Sequence, residues 1–414
     1  MRVNTLTSGN KLHIVLRLDR EDDLHASGQQ GMPIELVTDS ATIELDDTAA
    51  AIHPDLIALS VLTIVAPWAR RRVTLDEGIS PEFSKAAMET LGIEVGPVDD
   101  FLSARPQGTR LGLMYSGGPD CMAAEVLLDD NMPRFHFRRV KHSRVPNRAT
   151  RFHAEVQEAI VRRSQARGEE LHVARSDLEY LCRPFPTFPH WVALTVGAIL
   201  LAGDHDLGSV VTGRNISGIY LGWGKEYTAD GEQESRWEAL FAAAGLRLLN
   251  PLAGASDVLS KRIALNHPHH DLARSCVAGT IDAPCYRCKK CLMTELTRAA
   301  MKGEPLDESV VASLSSNPMV TRRFDRPPPY PNQHLVAYSL ARVPGIDATF
   351  LRTAKAALTP GVEETAWMER YYRPALAQRL PPDIAERVSS RLATLADFMS
   401  SDEEKIVEGW SVSD

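Results

Sequence analysis

Two clusters of residue types in this sequence carry chemistry. The first is Ser116-Gly117-Gly118-Pro119-Asp120, which closes the apolar run LGLMYS and opens into the Ala-rich stretch MAAEVLL. Strand-like sequence that breaks on two glycines and resumes as helix turns backbone N–H groups inward, and the helix start adds unsatisfied donors. Such a loop suits an anion, most simply a phosphate. An ordinary turn in which Asp120 caps the helix explains the same residues. The loop has neither the Gly-Lys-Ser/Thr of a Walker A element nor the G-x-G-x-x-G spacing of a dinucleotide fingerprint.

The second cluster is Cys276, Cys285, Cys288 and Cys291, with eight, two and two residues between successive members. Four thiolates can surround one Zn²⁺ tetrahedrally, and the short spacings let consecutive ligands converge. An iron–sulfur cluster is the chemical rival, and zinc is expected ahead of it. With every position filled by sulfur no place is left for water, so a structural ion is expected. Lys289 and Lys290, between the ligands, either offset the negative charge of such a site or are merely solvated.

The elements that must position these residues follow from hydrophobic rhythm. From 111 to about 300, strand candidates LGLMYS, RFHFRRV (134–140), EELHVARS (169–176) and LGSVVTG (207–213) alternate with helices near 121–129, 151–166, 190–203 and 233–245. That alternation implies a mostly parallel sheet with helices on both faces, and ligands then collect at the carboxyl ends of the strands, where SGGPD lies. Residues 1–100 read as a separate α+β module. KLHIVLRL, MPIELVTD and ATIELDD are its β-like runs, with helices near 57–68 and 84–92. GPVDDFLSARPQGTR (96–110) reads as a link. After the proline-rich connector RPPPYP, residues 326–414 read as a helical extension containing HLVAYSLARV, TFLRTAKAAL and PPDIAERVSSRLATLADFM.

Composition bounds the function. The chain has 414 residues, 44% of them hydrophobic, enough for two or three cores. A formal charge of −8 argues against a broad nucleic-acid surface, with RFHFRRVKHSRVPNRATR (134–151) the local exception. MRVNTLTSGNKLHIVLRL lacks the apolar core of a signal peptide, and the longest apolar stretches are too short or too broken to span a membrane. A cytoplasmic protein with no membrane partner is expected.

Together, SGGPD after a strand and C-x8-C-x2-C-x2-C roughly 150 residues later resemble the PP-loop ATP pyrophosphatases, nearest to the 7-cyano-7-deazaguanine synthase family. Those enzymes carry an SGG-x-DS loop and a Pro-Cys-x-x-Cys-x-x-Cys zinc segment preceded by Ser-Cys. Here Pro284-Cys285 and Ser275-Cys276 stand in those places. VVTGRNISG (210–218) resembles the family's strand and Gly-x-Asn region, with a shorter gap to its Ser-Gly. LNPLAGASDVLSKRIAL (249–265) resembles its Pro-Leu…Lys segment. The resemblance spans roughly residues 109–300, and 109–305 is the expected nucleotide domain.

The resemblance implies a HUP-like α/β fold that splits ATP into AMP and pyrophosphate. Ser116, Gly117, Gly118 and Asp120 would form the phosphate loop, with Asp120 helping to hold Mg²⁺. Cys121 stands where the family has serine. A thiol is a weaker donor, yet a helix start lowers its pKa and leaves a nucleophile role open. Lys261 would reach a phosphate or developing charge, or is a solvated helix lysine, while Gly213, Arg214 and Asn215 would meet nucleotide or acceptor, with helix capping the plainer role of Asn215. Arg138 and Arg139 follow the second strand, where the family recognises adenine. PFPTFPHWVAL (184–194) and IYLGWGKEYTADGE replace the family's acceptor-binding segments. His190 (a ligand contact or a helix cap), Trp223, Lys225, Glu226 and Tyr227 would therefore line a different acceptor pocket.

The expected activity is adenylation of a carboxylate or amide oxygen of a small molecule, followed by attack of ammonia or an amine, with ATP, Mg²⁺ and structural Zn²⁺. The alternatives are a sulfurtransferase fed by a sulfur donor through Cys121 or Cys182, a tRNA-modifying enzyme, and a non-catalytic nucleotide-binding protein. The end modules leave room for a carrier or donor protein, a closing lid or a homodimer contact.

Overall fold

The computed structural model describes all residues except 29–30, 47–50, 129–130, 143–153, 185–186, 223, 231–233, 277, 281–282, 359–362 and 412–414. Its strands are β1 (Arg2–Ser8), β2 (Lys11–Arg17), β3 (His25–Ser27), β4 (Pro33–Leu36), β5 (Ser40–Leu45), β6 (Arg72–Ile79) and β7 (Glu94–Val98), followed by β8 (Arg110–Met114), β9 (Arg134–Arg139), β10 (Leu171–Ser176), β11 (Cys182–Arg183), β12 (Leu207–Val211) and β13 (Arg247–Leu249). Helices α1 (Pro54–Val65), α2 (Pro81–Leu91), α3 (Pro119–Leu127), α4 (Ala154–Ala166), α5 (Val196–Leu200), α6 (Ile216–Ile219), α7 (Glu234–Ala243), α8 (Asp257–Ala264) and α9 (Lys289–Lys302) are interspersed. The rest is helical: α10 (Glu308–Ser315), α11 (Pro318–Thr321), α12 (Gln333–Arg342), α13 (Thr349–Leu358), α14 (Pro374–Arg379), α15 (Pro382–Leu395) and α16 (Ser401–Glu408).

The chain divides into two compact units. One comprises Met1–Ser116, Asn131–Thr212 and Gln233–Leu249, the other Gly117–Asp130, Gly213–Glu232 and Asn250–Asp414. The first unit is built on a ten-stranded sheet in the order β13-β12-β8-β9-β10-β5-β2-β1-β6-β7. Neighbours are parallel except at β10/β5, β5/β2 and β2/β1. This is an α/β chain with a large, mostly parallel sheet.

The sheet does not stop at the module boundary expected near residue 100. Leu45 of β5 pairs with Ala174 of β10, so the N-terminal strands continue the central sheet. An open edge on β10 would expose a row of unpaired backbone groups, and β5 covers it. The apolar core is continuous as well, running from Ile14 and Ile43 through Phe135 and Ala174 to Val210 and Leu248.

Local signals explain the helices of this unit. α1 opens on Pro54, whose fixed φ suits a first helical position, and His53 accepts the Asp55 N–H. The buried Asp55 carboxylate then accepts from Ser80 N at 2.9 Å and Ser80 Oγ at 2.8 Å, while Ser80 caps α2 by accepting from Phe83 N. One carboxylate thus ties the starts of two helices. At the sheet's edges α2 lies on β7 and α7 on β13, and the two helices touch each other.

The second unit is helical. α3 packs on α8 and on α15, and α9 packs on α12. Residues His334 to Leu340 of α12 are all buried, so this helix is surrounded rather than amphipathic. The C-terminal helices therefore share a unit with the glycine loop and the cysteines. Among the described residues no helix is long and apolar enough to cross a membrane.

A close approach in the sheet unit makes a test. A Cβ at Gly197 of α5 would lie 2.6 Å from the Cβ of Ala174 in β10. Alanine gains about 1 kcal/mol in helix propensity over glycine, but overpacking costs about 1–3 kcal/mol. Gly197→Ala is therefore expected to lower the urea midpoint, and a raised midpoint would contradict the contact.

Candidate functional site

The glycine loop enters α3 through a glycine that offers no side chain as a cap. Gly117 has φ +71°, in the left-handed region that glycine adopts without strain. Gly118 is the extended N-cap of α3, and no side chain caps the helix. Pro119 fills the first helical position and Asp120 the first turn, which is favourable for a carboxylate beside the positive end of the helix dipole. The Cys121 thiol is buried and donates back to the Gly118 carbonyl at 2.9 Å. Arg274 N–H donates to the Gly117 carbonyl at 2.8 Å, fixing the loop from the segment before the cysteines. Ser116, which ends the first segment of the sheet unit, is exposed.

Two further segments converge on Asp120. Gly213 lies so near that a Cβ there would sit 2.8 Å from the Asp120 carbonyl carbon, so no larger residue fits without a shift. From α8, Ser260 Oγ donates to Asp120 Oδ1 at 2.5 Å. Arg214 donates to the Gly218 carbonyl, and Asn215 caps the short α6 by accepting from Gly218 N at 3.3 Å.

The charges around Asp120 are unusual. Its side chain keeps some accessible surface, yet protein crowds it closely, and burial followed by the neighbouring Asp257 carboxylate pushes its pKa up to about 6. The Ser260 hydrogen bond, Lys261 and Lys290 work against that rise. Lys261 is pushed below the usual lysine range by burial, with Asp257, Asp120 and Glu295 opposing. Two neighbouring carboxylates favour a divalent cation, and lysines beside a helix start favour an anion.

Asp257 is held by a buried chain of polar groups. Ser217 Oγ donates to Asp257 Oδ2 at 2.7 Å and lies 2.8 Å from His334 Nε2, whose distance to the carboxylate is 4.0 Å. His334 is fully buried in α12, and burial pushes its pKa down to about 4 against the pull of Asp257. Sequence reasoning missed Ser217, Asp257, Ser260 and His334. Asp257, Ser260 and Lys261 are three and four residues apart on α8, a spacing that places them on one face and could have flagged them. His334 stands far along the chain with no local signal.

The four cysteines converge. Cys285 and Cys291 sulfurs are 3.7 Å apart, Cys288 and Cys291 3.5 Å, and all four lie within 4.8 Å of one another. Zn–S bonds of about 2.3 Å in a tetrahedron put sulfurs about 3.8 Å apart, so the cage fits zinc. Backbone N–H groups of Cys285, Arg287 and Cys291 point at the sulfurs of Cys276, Cys285 and Cys288 at 3.4, 3.4 and 3.5 Å. Such N–H···S contacts orient thiolates for a metal. Cys288 is also the N-cap of α9, so the knot sets where that helix begins.

Of the expected acceptor residues, His190 falls in the sheet unit and Lys225, Glu226 and Tyr227 in the helical one. His190 belongs to the sheet unit, where Nδ1 accepts from Val192 N at 3.4 Å and the ring lies 5.2 Å from that of Trp237. Trp223 lies outside the described residues. Lys225 and Glu226 are exposed, and Glu226 bridges to Ser411. Tyr227 donates its N–H to Trp410 O at 2.9 Å, and its hydroxyl meets that of Tyr372 at 3.1 Å. Arg138 and Arg139 pair with Glu158 and Glu179, both at 2.8 Å. Cys182 is buried in the sheet unit, and burial pushes its thiol up to about 12, which leaves little thiolate at neutral pH.

A model of a family of unknown function (DUF6395) matches residues 236–411. No curated protein and no solved structure matches the chain.

Two outcomes follow from this geometry. Stripping metal with a chelator, or changing Cys288 to Ser, is expected to cost several kcal/mol of stability in the helical unit, read as a lost or shifted unfolding transition; an unchanged transition counts against a structural metal. His334 has a folded pKa below its unfolded value of about 6.5, so its contribution is present above that pH and is lost as pH falls toward about 4. The loss is on the order of 3 kcal/mol. Urea unfolding at pH 7.5 and pH 5 should show a smaller difference for His334→Gln than for wild type, and equal differences would refute the buried neutral imidazole.

Proposed function

We propose that the chain is an ATP-dependent, AMP- and pyrophosphate-forming enzyme of the PP-loop type. The observation that carries this reading is the start of α3 after Gly117 and Gly118, with Asp120 and Lys261 beside it. Two features support it. Numbered by first appearance after residue 109, strands β10, β9, β8, β12 and β13 run 3-2-1-4-5, the order of doubly wound nucleotide-binding folds. The order reverses at β8, the strand that leads into the glycine loop.

In this reading the triphosphate lies along the N–H groups of the first turn of α3 and along Lys261. Asp120, oriented by Ser260, would hold the Mg²⁺ that neutralises the phosphates. An oxygen of the acceptor carboxylate or amide attacks the α-phosphorus; the new O–P bond forms as the bond to the bridging oxygen breaks, and pyrophosphate leaves. Ammonia or an amine then attacks the activated carbon, and AMP departs with the acceptor oxygen. The protein's part is alignment and stabilisation of charge on both leaving groups. Thiolation is disfavoured by the burial of Cys182 and by the turn of the Cys121 thiol onto Gly118. That same turn removes the hydroxyl contact a serine would give to phosphate, and it favours a non-catalytic nucleotide-binding protein as the second reading.

The test is pyrophosphate release from ATP and Mg²⁺ across a panel of small carboxylates and amides, with ammonium or sulfide added separately. Acceptor-dependent release, with a product mass showing amidation, is the expected result. Asp120→Asn should lower turnover about 100-fold while the zinc content stays unchanged. Binding of ATP without release under any condition would favour the second reading.

A further inference from the structure

A second convergence of ligand atoms lies in the sheet unit, at the end where the parallel strands begin. Glu170 immediately precedes β10 and His172 is the second residue of that strand. In extended chain, residues two apart point to the same side. His205 comes from the turn before β12. That turn is fixed because the Asp206 carbonyl accepts from both Thr109 N and Arg110 N at 2.9 Å. His172 Nε2 and His205 Nδ1 each stand 3.4 Å from the same oxygen, Glu170 Oε1, and the three ligand atoms lie within 4.8 Å of one another.

A good N–H···O bond measures about 2.9–3.0 Å, so 3.4 Å is long for two imidazole donors sharing one carboxylate oxygen. Around a tetrahedral Zn²⁺ with bonds of about 2.0–2.1 Å, neighbouring ligand atoms stand about 3.4 Å apart. Packing explains why both rings lie near Phe135, at 5.3 and 5.7 Å, and why they lie against each other, with centroids 3.9 Å apart. Arg110 donates to both oxygens of Glu170, to Oε2 at 2.6 Å and to Oε1 at 3.3 Å, so its closer grip is on the oxygen the histidines do not face, as an outer partner of a ligating carboxylate would hold it, and Asp204 adds a negative charge beside His205.

We propose that Glu170, His172 and His205 form a metal site of their own, for a divalent transition-metal ion of the zinc class. Two imidazoles and a carboxylate suit such an ion, whereas the four thiolates make a separate, softer cage. Three protein ligands leave a fourth position for water, and the Glu170 side chain, 42% exposed, keeps the site in reach of solvent. The site is independent of the cysteine cluster and of the ATP reading.

The experiment titrates Co²⁺ into the full chain after its cysteine cluster has been saturated with Zn²⁺. One further equivalent is expected, with visible d–d absorption and no thiolate-to-cobalt charge transfer. His172→Gln and His205→Gln should each weaken that binding at least tenfold while keeping the wild-type circular dichroism. Should either variant fail to fold, the wild type decides alone: Zn²⁺ should shift the ring ¹⁵N resonances of two histidines as the extra equivalent binds. Absence of a second equivalent, unchanged affinity in folded variants, or no histidine shift would overturn the proposal.

Discussion

The position of the Asp120 carboxylate is the constraint around which the helical unit is organised. A charged group at the start of α3 is favoured by the helix dipole, yet here it is crowded by protein and faces a second carboxylate. The structure meets that conflict from three directions. Ser260 donates a hydrogen bond, Lys261 and Lys290 supply positive charge, and glycine at 213 lets the backbone approach where no Cβ fits. Two acids and two lysines, Asp120 and Asp257 with Lys261 and Lys290, thus act on one another at the start of the helix.

The rest of the unit can be followed outward from that point. α8 carries Ser260, Lys261 and Asp257, and its own N-cap Ser256 accepts from Val258 N and Leu259 N. Asp257 reaches through Ser217 to His334 in the wholly buried α12. α12 packs on α9, whose first residue follows the N-cap Cys288 of the cysteine knot. The knot therefore acts at one remove from the carboxylates, by setting the helix on which α12 rests. The helical tail is part of this arrangement and not an appendage: Arg387 of α15 donates to the Leu128 carbonyl at the end of α3 at 2.7 Å.

What the sequence made legible was local. The strands β8, β9, β10 and β12 announced themselves as short apolar runs between polar turns, and the cysteine spacing announced convergence before any coordinate did. β13 is only RLL, too short to carry a period, and β6 (RVTLDEGI) hides its buried Val73, Leu75 and Ile79 among charged residues. The joining of β5 to β10 was invisible because edge pairing depends on backbone groups that every residue carries. Around Asp120, the glycines could be read from the loop's own sequence. The partnership of Ser217 and Asp257 with His334 joins segments far apart in the chain, and residue type alone gives no warning of it.

The most direct measurement of the central claim is equilibrium binding of ATP to the zinc-loaded full chain, with and without Mg²⁺, in wild type and Asp120→Asn. Saturable binding that Mg²⁺ strengthens in wild type, and that Mg²⁺ no longer strengthens in the variant, is the predicted result. No saturable binding to the folded wild type, or an Mg²⁺ effect that survives the loss of the carboxylate, would contradict the assignment of this loop to phosphate.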